Sequence, residues 1–229
     1  MRPKRQTTRT LALLVTAGVI SLAFAASATA VIYIYSNGFG SRADVKEMKK
    51  SGGGKKCDKR FRKKGESMHV SVEGRRLCEF KPPVVGDGSQ PNQVIVAKGK
   101  VLPKQTPKSL RDAAYLAVRV RVGGGDWYEL QIRPKARRFK LERSPREGAV
   151  SEEGMNDAIR PLKQPNALRL DVKGDRVTAF VNGDELASVV DPNPGAVGGR
   201  KVSFGLGSRK DGRRPTVGVF DRVRVGIPE

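Results

Sequence analysis

Apolar and polar residues alternate through most of the chain beyond residue 66. Over Tyr115–Val122, Val118, Val120 and Val122 alternate with Arg119 and Arg121, and over Trp127–Arg133, Tyr128, Leu130 and Ile132 alternate with Glu129, Gln131 and Arg133. Phe139 and Leu141 alternate with Arg138, Lys140 and Glu142, and Leu168, Leu170 and Val172 with Arg169, Asp171 and Lys173. A period of two marks a strand with one face in a core and one in water. The pattern is sharpest over Arg176–Val190. There Val177, Ala179 and Val181 alternate with Arg176, Thr178 and Phe180, Asn182-Gly183 supplies the positive-φ pair of a type I′ turn, and Leu186–Val190 runs back. Further strands are predicted over His69–Val72, Arg76–Phe80, Gln93–Leu102, Lys201–Gly207 and Thr216–Ile227. Ser144–Pro165 reads as a long connection with a helical turn around Asp157–Leu162. Many short strands and no long amphipathic helix predict an antiparallel β-sandwich over residues 67–229.

The N-terminal third reads differently. Residues 1–10 form a basic tail with Arg2, Lys4, Arg5 and Arg9. Residues 11–35, LALLVTAGVISLAFAASATAVIYIY, carry no charge and are long enough to cross a bilayer as one helix. Tyr33 and Tyr35 close the run where interfacial aromatics sit. Ala28-Thr29-Ala30 also fits a signal-peptidase site, so a cleaved signal competes with a signal anchor. Both send the rest of the chain to the membrane. Residues 36–66 hold Gly52–Gly54, few apolar residues and the basic run Lys55–Gly65, which predicts a flexible linker without a packed core.

Charge sharpens this division. The chain carries a formal +22. Residues 1–66 hold 15 Lys/Arg against 4 Asp/Glu, so half of the excess lies in less than a third of the chain. A basic segment outside a membrane suits polyanions such as lipid headgroups or wall polymers. Nucleic acid is disfavoured as a partner, because no aromatic platform or reading motif accompanies the basic residues. The two cysteines, Cys57 and Cys78, are isolated, and His69 is the sole histidine, so a Cys/His zinc site lacks ligands and no metal is expected. Isolated cysteines beside an export signal predict a Cys57–Cys78 disulfide in an oxidising compartment.

The last third carries a resemblance. NALRLDVKGDRVTAFVNGDELASVVD, then GGRKVSFGLGS, then VGVFDRVRV, resembles the end of concanavalin A-like jelly-roll domains. These include laminin-G-like modules and 3-keto-disaccharide hydrolase-like domains of bacterial surface proteins. The matching pieces are Val181-Asn182-Gly183 at the hairpin tip, the strand Val202–Leu206, and Phe220–Val225 as the closing strand. WYELQIRPKARRFKLERS is similar to the paired middle strands of that group. The resemblance implies an all-β, antiparallel jelly-roll β-sandwich, here preceded by one N-terminal transmembrane helix. A basic tail, a single span and such a domain also resemble membrane-anchored surface proteins of actinobacterial type.

Chemistry is thin by comparison. The glucanases of that fold place their carboxylates in an E-x-D-x-x-E strand, and this chain has no such run. Glu152-Glu153, the adjacent acidic pair, falls in the expected connection and reads as a solvated loop. Asp191 and Asn193 offer oxygen ligands, but the prolines beside them suit a rigid turn equally well. No cofactor is called for. The candidate ligand-binding residues are Trp127 on the polar side of its strand, with Arg119, Arg121 and Arg133 on the same face. The expectation is a single-pass, extracytoplasmic binding module, catalysis-free, for an anionic envelope glycan or a membrane-protein partner. A glycoside hydrolase of the same fold is the rival. Its mark is a cluster of carboxylates on one sheet face; the binder's is Trp127 and arginines without paired acids.

Overall fold

The computed structural model describes residues 30–83, 92–121, 126–144, 150–194 and 201–228. The basic tail, residues 11–29 of the expected span and the Gly123–Gly125 turn lie outside the described residues. The elements run β1 (Val31–Asn37), α1 (Arg42–Glu47), β2 (Lys49–Lys50), β3 (Cys57–Arg62), β4 (Ser67–Val72), β5 (Arg76–Lys81), β6 (Gln93–Val101), β7 (Ala114–Arg121) and β8 (Trp127–Arg133). They continue with β9 (Arg138–Ser144), β10 (Ser151–Met155), β11 (Asn166–Lys173), β12 (Arg176–Val181), β13 (Asp184–Val190), β14 (Val202–Ser208) and β15 (Thr216–Pro228).

The strands form two antiparallel sheets. One has eight strands in the order β13-β12-β11-β6-β15-β4-β3, with β1 also paired to β15; the other has seven in the order β10-β9-β8-β7-β14-β5-β2. The core between them is built from the inward residues that the alternation predicts, among them Leu116, Val118, Val120, Leu130, Ile132, Leu168, Leu170, Val177 and Ala179. Phe204 stands at its centre, 4.9 Å from Phe220 edge-to-face and about 6 Å from Phe39 and Phe80. At the tip of the β12–β13 hairpin Asn182 and Gly183 take φ of 54° and 101°, as a type I′ turn requires. Asn182 does more than turn the chain: its amide donates to the Ala158 carbonyl (2.6 Å) and accepts from the Ala167 N–H (2.9 Å).

Two expectations for the N-terminal third are corrected. Val31–Tyr35 do not end a membrane helix; they lie in β1, which pairs with the second half of β15 from Val31↔Pro228 to Asn37↔Val223. Val, Ile and Tyr are the residues that suit a pleated, half-buried surface, so an apolar run read as a span continues here into a strand. No helix among the described residues is long and apolar enough to cross a membrane.

Residues 36–66 are not a structureless linker either. Phe39, Val45 and Met48 are fully or nearly buried in the core. β3 pairs with β4 along its whole length. Lys59 explains why its alternation is masked. It occupies an inward position between Cys57 and Phe61, and its ammonium donates to the carbonyls of Val45 (2.6 Å) and Met48 at the end of α1. The lysine satisfies carbonyls that the end of the helix leaves free. The expected connection 144–165 also contains β10, an edge strand paired with β9, and turns replace the expected helical turn.

Cys57 and Cys78 are bonded, with Cα atoms 5.4 Å apart. Cys57 opens β3 in one sheet and Cys78 lies on β5 in the other, so the bond staples sheet to sheet.

Candidate functional site

The outer face of the seven-stranded sheet gathers most of the polar chemistry. On β8, Trp127, Glu129, Gln131 and Arg133 point outward; on β7, Tyr115 and Arg119; on β9, Arg138, Lys140 and Glu142. Strand pairing sets Arg119 opposite Glu129, Arg121 opposite Trp127, and Arg133 opposite Arg138. Ser203 of β14 sits on the other side of Arg119.

Arg119 is the hub. Its Nε pairs with Glu129, its Nη1 reaches Glu79 of β5 at 3.4 Å, and its guanidinium lies 4.7 Å from the centre of the Trp127 ring. Ser203 donates to the second oxygen of Glu79, and the Gln131 amide donates to the second oxygen of Glu129. Arg209, just past β14, donates to Gln131 Oε1 at 3.1 Å. The chain Glu79–Arg119–Glu129–Gln131–Arg209 thus crosses four strands.

Burial decides what this network can do. Glu129 is 1% exposed and Glu79 is 7% exposed, although both stand on the outer face. Burial raises the Glu129 carboxyl above its usual range, against the opposing pull of Arg119 and the Gln131 hydrogen bond. Tyr115 helps cover the face. It lies where a side chain on Gly207 would stand, its ring 2.1 Å from an ideal Cβ there, so only glycine fits beneath it. Burial, and then the charge of Glu129, push the Tyr115 phenol up to about 12.

A second polar cluster lies beneath the Trp127 end of the sheet. Arg143 points inward from β9. It donates to Asp191 (2.6 Å), to Asp126 (3.0 Å) and to the Asn193 carbonyl. Tyr128 also donates to Asp191, at 2.7 Å. Burial raises the Asp191 carboxyl, but the bonds from Tyr128, the Asn193 N–H and Arg143 outweigh it and hold it below the usual range. The oxygens that the sequence offers to a cation are therefore directed at a guanidinium. Among the described residues no group of three or more His, Cys, Asp or Glu is arranged to hold a metal.

Of the residues expected to bind a ligand, Trp127, Arg119 and Arg121 stand together at one end of the face. Arg133 stands at the other, six residues along β8 and so about 20 Å away. Arg119 is bound into the carboxylate network rather than free. Glu129, Glu79 and Arg143 were not among the expected site residues. Glu129 and Arg119 are separated by ten residues, and only the β7–β8 register, readable from the hairpin, sets them side by side. Glu79 gives no such signal, because its contact depends on the non-local pairing of β5 with β14. On the opposite side of the sandwich a groove of about 570 Å³ crosses the eight-stranded sheet, lined by Tyr33, Arg169, Asp171, Arg176, Phe180 and Ser188 among others.

No protein-family description matches the chain, and no curated protein matches it in sequence. Solved structures do match. A Bacillus subtilis protein with a galectin-like fold superposes with a TM-score of 0.59 at 15% identity, over 87% of this chain and 100% of that one. A Bacillus licheniformis β-glucanase gives 0.54 at 12% identity, over 85% and 98%. A carbohydrate-binding module from Bacillus subtilis gives 0.50 at 13%, over 79% and 95%. At such identities the likeness establishes the fold, a concanavalin A-like, galectin-like jelly roll, and the resemblance read from the last third of the sequence holds. The fold serves both glycan binders and glycan hydrolases, so the choice between them rests on the site.

Proposed function

We propose that the protein is a non-catalytic glycan-binding domain that works outside the cytoplasm and takes a polysaccharide along the outer face of its seven-stranded sheet. One observation carries the reading. The two central carboxylates of that face, Glu79 and Glu129, share Arg119 and are almost wholly buried. A glycosidase needs two carboxyl groups flanking the scissile bond and open to it. Here both serve as the frame that holds Arg119 and Gln131, and Trp127 remains as the half-exposed ring for a sugar to stack on. The cross-sheet disulfide supports an oxidising compartment. β1 begins directly after Ala28-Thr29-Ala30, so cleavage there would leave every described strand in place.

The test is co-sedimentation of the full chain with isolated envelope of the producing cells. Binding that Trp127→Ala weakens by about tenfold supports the reading. Binding indifferent to that change, or lost when envelope protein is stripped by protease, overturns it in favour of a protein partner. Hydrolysis is the second reading, favoured by Glu129: a carboxyl raised by burial at the centre of a polar face is suited to general-acid work. Release of reducing ends from the envelope, abolished by Glu129→Gln, would establish it.

A further inference from the structure

The far end of the same face holds an electrostatic anomaly. Arg133 of β8 and Arg138 of β9 are directly opposed across the strand pair. Like charges in that position repel, with Cβ atoms about 5 Å apart. Arg209 approaches the same spot, held there by its bond to Gln131. These three arginines, with Gln131, Lys140 and Glu153, line a shallow recess of about 10 Å³, the space of about one water, so a larger group would sit across its mouth. Lys140 is already paired with Glu142. Glu153, on the edge strand opposite Lys140, is the single carboxylate lining the recess. Among the described residues neither the Arg133 nor the Arg138 guanidinium has a hydrogen bond or a salt bridge. Burial, then the nearby charges of Arg209 and Arg138, hold the Arg133 guanidinium below its ordinary value against the opposing pull of Glu153, so one carboxylate faces three guanidinium groups.

We infer that Arg133, Arg138 and Arg209 form an anion subsite that reads the carboxylate of an acidic sugar, making the ligand a uronate-bearing polysaccharide. The inference rests on the glycan-binding reading above and names its substrate class. Guanidinium forks match the two oxygens of a carboxylate, and such bonds are stronger than neutral ones. The Gln131–Arg209 bond ties this subsite into the network that ends at Arg119 and Trp127. One polymer can therefore stack at Trp127 and place an acidic unit about 20 Å along the strip. A cluster built for an anion leaves a second trace: without ligand it is a cost to the fold.

The experiment titrates the full chain with polygalacturonate, dextran sulfate and neutral dextran at fixed ionic strength. The wild type and the Arg133→Gln, Arg138→Gln and Trp127→Ala variants are compared, and the thermal midpoint of each is followed without ligand. The subsite predicts that polygalacturonate binds more tightly than dextran, and that each arginine change weakens it about tenfold. It also predicts that Arg138→Gln leaves the ligand-free midpoint equal or higher. No preference for polygalacturonate over dextran overturns the inference. So does tighter binding of dextran sulfate with equal indifference to both arginines, which is diffuse charge attraction. Weakening by Trp127→Ala alone removes the subsite and keeps the glycan strip; weakening by the arginine changes alone keeps the subsite and removes the strip.

Discussion

Replacing Arg143 by Met tests the packing logic beneath the site most severely. Arg143 is 3% exposed and binds two carboxylates that are themselves buried, Asp126 at 5% and Asp191 at 0%. Methionine fills much of the volume but leaves the fully buried Asp191 without its cation. Removing one partner of a buried ion pair typically costs about 3–5 kcal/mol, because the remaining charge is stranded. For a domain of this size that is a fall in the thermal midpoint of about 10 °C. The pH dependence carries a sign. In the wild type the Asp191 carboxyl lies below its unfolded value, so its contribution is present above that unfolded value and is lost as pH falls through the folded one. In Arg143→Met the Asp191 carboxyl, buried and without its cation, rises instead, so folding favours its protonated form and the variant loses stability as pH rises through that range. The gap between the two proteins should therefore narrow on acidification from pH 7 toward pH 4. Thermal unfolding followed by circular dichroism across that range reads both effects. A loss under about 1 kcal/mol at pH 7, or a gap that widens in acid, would refute the account of the cluster.

Two further outcomes follow from the fold. Cys57 and Cys78 should yield no free thiols on denaturation without reductant, and their reduction should cost about 3 kcal/mol by loop closure; two reactive thiols would contradict the staple. A fragment of residues 67–229 should fail to fold as a soluble domain, since it lacks β1, β3 and the buried Phe39, Val45 and Met48; a cooperative melt equal to that of the full chain would show those elements to be dispensable.

The strands with strict alternation, such as Trp127–Arg133 and Arg176–Val181, are legible in the sequence because every second residue enters one core. The Asn182-Gly183 turn is legible because few residue pairs accept its dihedrals. Elements became illegible where a residue type masks its position. Lys59 is a charge facing inward, placed by carbonyls that sequence does not display. Val31–Tyr35 are apolar enough for a lipid phase and are claimed by β15, nearly two hundred residues away. The site divides in the same way. Trp127 and the arginines are legible as outward-facing from their parity along β7 and β8. The tie of Glu79 to Arg119 needs strand pairings between distant parts of the chain, as does the meeting of Arg143 with Asp191.

The most direct test of glycan binding without catalysis is one titration with two readouts. The full chain is titrated with polysaccharide purified from the envelope of the producing cells, and the same mixtures are assayed for reducing ends. A non-catalytic glycan binder gives saturable binding, weakened about tenfold by Trp127→Ala, with no rise in reducing ends over the free polymer. A steady release of reducing ends that Glu129→Gln abolishes would contradict it and make Glu129 a catalytic acid.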